Sequence, residues 1–360
     1  IGTRPIRHDG YDKVTGRAVY GADLKLPGLV WGAVLRSPYA HANIQRVDTS
    51  AAEKLPGVLA IVTSKDMPRP ESRMIDLGEG AVNEKFEMDR ILASDKIVFR
   101  GQPVAAVAAV DRNTAEEAVK LIKVDYAPLP VVLTVEEAMA KGAPVILSDL
   151  VGDDLGEKVK KTNIAKHFRH EFGDVEKGFK QAKHIVERTF KMSMTHQGYI
   201  EPHNATAMWD EEGRLRIWTS TQGSFTVRTQ VAGILKLDES RVKVTPLEIG
   251  GGFGGKIPVY LEPIAAILSR NTGKPVKMIM DRKAVFEATG PAPGGTLRVK
   301  VGVDASGKIT AAASDMKFEA GGYPGSAIGA AAMCIYSPYN IPSTVIDGWD
   351  IVVNKPKSAP

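Results

Sequence analysis

Gly250-Gly251-Gly252-Phe253-Gly254-Gly255-Lys256 is the stretch on which the reading of this sequence turns. Five of its seven residues have no side chain, so a ligand can come against the backbone amides. Arg241 to Ile249, just before it, has strand character. The pattern after it predicts a helix opening at Pro258 or Pro263 and stopping near Asn271-Thr272-Gly273. Leu261, Ile264, Ala265 and Leu268 form its expected buried stripe. Free amides beside a helix N-terminus attract oxyanions.

Three readings of the run compete. A phosphate-binding P-loop needs four residues between its first glycine and a Gly-Lys-Ser/Thr; Gly250 to Gly255-Lys256 has that spacing, but Ile257 replaces the hydroxyl that holds magnesium. A dinucleotide fingerprint, Gly-x-Gly-x-x-Gly, is met by Gly250, Gly252 and Gly255, yet Asn271 and Thr272 occupy the region where the ribose acid belongs. A tight structural turn is the third. Spacing alone leaves all three open.

Working outward, Arg214 to Thr221 reads as a strand and Gly223 to Leu237 contains a helix. Asp210-Glu211-Glu212-Gly213 and Asp304-Ala305-Ser306-Gly307 sit between strand-like runs, as hairpin turns do. Toward the N-terminus, residues 11–150 read as a mixed α/β unit. Leu29 to Leu35 and Val104 to Val110 suit buried strands. A helix follows, with Thr114 and Glu117 as an expected capping box and Ala115, Ala118, Val119 and Ile122 on one face. With Val124-Asp125-Tyr126 it makes an expected strand–helix–strand unit. The polar stretch Ser148 to Asn163 reads as a linker.

The 360 residues exceed one ordinary core, so two domains or more are expected. No apolar run approaches the roughly 20 residues of a membrane helix. The 47 basic and 42 acidic residues are mixed along the chain, against a nucleic-acid partner. Lys158, Lys160 and Lys161 read as solvated. Cys334 is the single cysteine, expected as a buried thiol; the chain can neither close an internal disulfide nor hold an iron–sulfur cluster by itself. A reducing, cytoplasmic setting fits. His196, Glu201 and His203 lack zinc-helix spacing, and Pro202 breaks the helix such a site needs. His167 and His170 are expected to pack structurally or lie at a domain surface. No Gly-x-Ser-x-Gly elbow occurs.

The glycine run resembles the molybdenum-site loop of the xanthine oxidase/aldehyde oxidase family, and other segments agree in order. Lys13-Val14-Thr15-Gly16, Tyr20-Gly21-Ala22-Asp23, Arg36-Ser37-Pro38-Tyr39-Ala40-His41-Ala42, Gly101-Gln102-Pro103-Val104-Ala105 and Val124-Asp125-Tyr126 are similar to the start of its large subunit. Glu201-Pro202-His203, Ser220-Thr221-Gln222 and Thr272-Gly273-Lys274-Pro275-Val276 extend the likeness. The resemblance implies a mixed α+β and α/β fold: a hammerhead-type α/β domain over 1–147, a linker over 148–163, and the first part of a molybdopterin-binding α/β domain over 164–360. It implies molybdopterin with molybdenum, as the cytosine dinucleotide, and oxidation with oxygen taken from water. Partners implied are a 2Fe-2S subunit and an FAD subunit.

Carried over by the resemblance, Gln222 hydrogen-bonds an oxygen ligand of molybdenum, and Gly251, Gly252, Phe253, Gly254 and Gly255 form the cofactor-binding loop. Gln222 and Phe253 are the candidate catalytic residues, and no side chain ligates the metal directly. Purine oxidisers of the family place a glutamate after the loop lysine. Ile257 stands there, so an aldehyde, an N-heteroaromatic or an aromatic thioester is the expected substrate. The family's base glutamate belongs to a later segment, after an Arg-containing loop, and Glu201, Glu248 and Glu262 do not replace it. The sequence is thus read as a cut-down chain or as one of two polypeptides sharing the subunit. The alternatives are a non-catalytic scaffold that joins the iron–sulfur subunit, and an NAD-type oxidoreductase using the glycine run.

Overall fold

The computed structural model describes residues 2–68, 71, 73–76 and 81–359; Ile1 and Pro360, the two ends of the sequence, lie outside the described residues. One seven-stranded sheet runs in the order Val242–Pro246, Leu215–Thr219, Asn204–Trp209, Val276–Ile279, Val30–Arg36, Pro103–Ala109 and Val58–Thr63. It draws strands from both halves of the sequence, and the seam is the parallel pairing of Val30–Arg36 with Val276–Ile279. The halves on either side of residue 147 therefore share a sheet. Pro103–Ala109 lies inside it, every residue buried, which explains its unbroken apolar run.

Helix Glu262–Thr272 covers this sheet. Its stripe is wider than the expected one: all eight residues from Glu262 to Ser269 are buried. Gly273, at φ 64°, stops it in the left-handed conformation. Helix Arg112–Leu121 packs on Val30–Arg36 but is capped by Asp111, whose carboxylate accepts from the amide of Thr114 at 2.8 Å. Thr114 is not the cap. Its hydroxyl instead donates back to Asp111. The expected strand–helix–strand order forms, but its two strands lie in different sheets. Lys123–Pro128 pairs with Ala42–Asp48 in a separate three-stranded sheet, because it starts straight after the helix with no loop to return it beside Pro103–Ala109.

A second seven-stranded sheet has the order Glu157–Lys160, Val151–Asp154, Ile164–Phe172, Thr344–Val352, Ile309–Gly321, Gly295–Val303 and His184–Met192. Its first two strands lie in the stretch expected as a linker. They form a hairpin turned at Leu155 and Gly156, both at positive φ, as a two-residue hairpin turn requires. Of the hairpin's strand residues only Gly152 is buried, so no apolar period marked it. The hairpin is fastened through His167, which stacks on Trp349 and lies 2.6 Å from an Asp154 carboxylate oxygen. Both expected hairpins form, Asn204–Trp209 with Leu215–Thr219 and Gly295–Val303 with Ile309–Gly321. Cys334 ends helix Ile328–Cys334 and is exposed, against the expectation of a buried thiol; Ile328 and Ala332 are that short helix's buried residues.

Candidate functional site

Leu215–Thr219 and Val242–Pro246 are parallel neighbours, with Thr219 opposite Pro246. Both chains therefore leave the sheet at one edge. That edge brings Gln222, three residues past the first strand, onto the glycine loop past the second. Oε1 of Gln222 accepts from the amides of Gly254 at 2.9 Å and Lys256 at 3.3 Å. The Gln222 amide and the Thr221 hydroxyl donate to the Lys256 carbonyl at 3.1 and 3.0 Å. Two donors on Oε1 fix which end of the side chain is the NH2 group, and Nε2 meets no acceptor among the described residues.

Sequence reasoning assigned the glycines to a ligand's close approach. The structure gives a prior reason. A Cβ on Gly252 would meet Gln222, one on Gly250 would meet Glu201, and ones on Gly251 and Gly255 would meet Tyr199, all within 3 Å. The loop is glycine-rich because its own neighbours press on it. Gly251 and Phe253 both take positive φ, 97° and 52°, and the Phe253 side chain stands out to solvent, 70% exposed. The amides of Gly254, Gly255, Lys256 and Ile257 are engaged within the loop and with Gln222. Those of Gly251, Gly252 and Phe253 have no acceptor among the described residues.

Beneath the loop lies a charged floor that sequence reasoning missed. Lys256 is buried, 5.0 Å from the centre of the Tyr199 ring, and its ammonium pairs with Glu201 at 2.8 Å. Burial pushes the Lys256 pKa down, and Glu201 opposes that shift. Burial likewise holds His203 neutral, between Tyr199 and Tyr260. The only signal in the sequence was a lysine closing an otherwise bare loop. Ile257 follows at the inner end, half-buried, its amide donating to Gly254.

The strand–loop–helix phosphate geometry is absent. Residues 257–261 separate the loop from its helix, and the carboxylate of Glu262 accepts from the amides of Tyr260 and Leu261 at 2.9 and 3.1 Å. A buried carboxyl group already occupies that helix end. Glu201 and Glu248 are also engaged, with Lys256 and Lys13 respectively. Among the described residues no three metal-capable side chains converge, His196, Glu201 and His203 included.

Residues 156–360 match the model of the molybdopterin cofactor-binding domain, and residues 15–130 match the a/b hammerhead domain of aldehyde oxidase and xanthine dehydrogenase. The chain belongs to the xanthine oxidase family of molybdenum hydroxylases. Within that family it is similar to a probable xanthine dehydrogenase subunit of Bacillus subtilis, 31% identical over 97% of this chain and 44% of that protein. It is also similar to the nicotinate dehydrogenase large molybdopterin subunit of Eubacterium barkeri, 29% identical over 99% of this chain and 80% of that one. The solved CO dehydrogenase from Oligotropha carboxidovorans superposes with a TM-score of 0.85 at 30% identity, over the whole of this chain and 45% of that one. The chain thus spans under half the length of the first and third of these relatives. No helix among the described residues is long and apolar enough to cross a membrane.

Proposed function

We propose that this chain supplies Gln222 and the loop Gly251–Gly255 to the molybdenum site of a hydroxylase large subunit. The observation that carries the reading is the group of free donors at one sheet edge. Nε2 of Gln222, fixed by Gly254 and Lys256, lies against the loop that carries the unpaired amides of Gly251, Gly252 and Phe253. Fixed N–H dipoles with no side chain in front of them suit an oxygen-rich anionic group. Molybdopterin, as its cytosine dinucleotide, supplies two-electron oxidation with oxygen from water when bound there. The chain's own part is to orient that group through Gln222 and to hold its oxygens on the loop amides.

The domain reading that goes with this is a hammerhead-type unit over 1–147 and the first part of a molybdopterin domain over 164–360. Glu201, Glu248 and Glu262 are each committed elsewhere and do not supply the base that activates water. A 2Fe-2S subunit and an FAD subunit complete the enzyme, in the cytoplasm. With Cys334 as their only cysteine, these 360 residues do not hold a 2Fe-2S cluster by themselves. Ile257 offers neither charge nor hydrogen bond to a purine, which favours an aldehyde, an N-heteroaromatic or an aromatic thioester. Metal and nucleotide analysis of the purified complex tests the reading. Molybdenum and cytidine nucleotide near one per chain support it. A folded complex free of both favours the scaffold alternative.

A further inference from the structure

We propose that Glu201 is a positioning residue for the glycine loop, a clasp whose single oxygen Oε2 accepts from the amide of Gly250 and from the ammonium of Lys256, each at 2.8 Å. It ties the first residue of the loop to the last. The Glu201 amide also donates to the Gly250 carbonyl at 3.0 Å, so the loop's entry is held from both sides. Oε1 accepts from Nδ2 of Asn204 at 3.0 Å, on the interior strand Asn204–Trp209, which roots the clasp in the sheet.

Glycine loops lose more freedom on ordering than other chains, so a five-glycine loop needs external ties. Those ties are electrostatic here. The Lys256 side chain has no exposed surface, and Glu201 is its carboxylate partner. A buried ammonium left alone is costly, so removing the partner drives Lys256 out toward water and takes the loop with it. Because Lys256 and Gly254 hold Oε1 of Gln222, the loop's position sets where Nε2 points. Glu201 therefore acts on the site through the loop. That last step rests on the function proposed above; the clasp itself rests on the geometry alone.

The test compares the purified complex with its E201Q, K256M and E201Q/K256M variants, by hydrogen exchange of the 250–256 peptide and by molybdenum content. E201Q is expected to speed loop exchange by about tenfold or more and to lower bound molybdenum. The double variant buries no lone charge, so its unfolding midpoint returns toward that of the parent while the loop stays fast. A loop within about twofold of the parent in both E201Q and the double variant overturns the clasp. If E201Q loosens the loop in a complex that never held molybdenum, the clasp stands and the proposed function falls.

Discussion

A Cβ on Gly252 would stand 2.5 Å from Oε1 of Gln222, with Cδ and Cγ of the same side chain at 2.7 and 2.8 Å. The two residues share one van der Waals envelope, so neither can move without the other.

Gly252→Ala is accordingly expected to push Gln222 off the amides of Gly254 and Lys256 and to destabilise the protein by about 1–3 kcal/mol, the usual cost of overpacking. Gly329→Ala is the control. It lies exposed in helix Ile328–Cys334 with nothing near the added methyl, and should gain about 0.5–1 kcal/mol. Urea unfolding of the two variants separates crowding at the loop from a general effect of glycine replacement.

Gln222→Glu keeps an oxygen acceptor for Gly254 and Lys256 but replaces the Nε2 donor with a second, anionic oxygen. The loop should hold its hydrogen-exchange protection while molybdenum content drops. Gln222→Ala should lose both. Equal molybdenum in the parent and Gln222→Glu complexes would remove Gln222 from the site.

Glu262 predicts a pH dependence of stability. Burial holds its carboxyl above the usual range, against the pull of the Tyr260 and Leu261 amides and the Thr219 hydroxyl. The Thr219 hydroxyl lies 2.8 Å from both the Asn204 carbonyl and Oε1 of Glu262, and its one proton serves only one of them. A protonated Glu262 supplies the other. The folded state thus binds this proton more tightly than the unfolded state. The stabilisation is full below the ordinary glutamate pKa of about 4.3 and declines as pH rises from there through the raised folded value. Glu262→Gln, neutral throughout, should gain on the parent as pH rises through that window. Urea midpoints across the range decide it, and a constant difference contradicts the assignment.

Cys334 should react with a thiol reagent in the folded protein, one label per chain, because it is exposed. Cys334→Ser should leave stability within about 0.5 kcal/mol, as surface substitutions do. Labelling only after denaturation would place the thiol inside.

Much of this was legible in the sequence, for identifiable reasons. Pro103–Ala109 announced itself because burial on both faces leaves an uninterrupted apolar run. Gln222 and Phe253 were paired from motif order, and parallel strands ending at one edge bring them together. The hairpin at 151–160 was hidden because its strands expose almost every residue, so polarity alone read as a linker. The cap at Asp111 was displaced to Thr114 because both residue types cap helices, and only backbone geometry separates them. The Glu201–Lys256 pair joins residues 55 positions apart, and no local pattern encodes such a contact.

The most direct measurement is an anomalous-scattering map of the crystallised complex, collected at the molybdenum absorption edge. The account predicts a single strong peak beside Nε2 of Gln222, facing the amides of Gly251, Gly252 and Phe253. A peak elsewhere, with this edge of the sheet facing only solvent or protein, would contradict it.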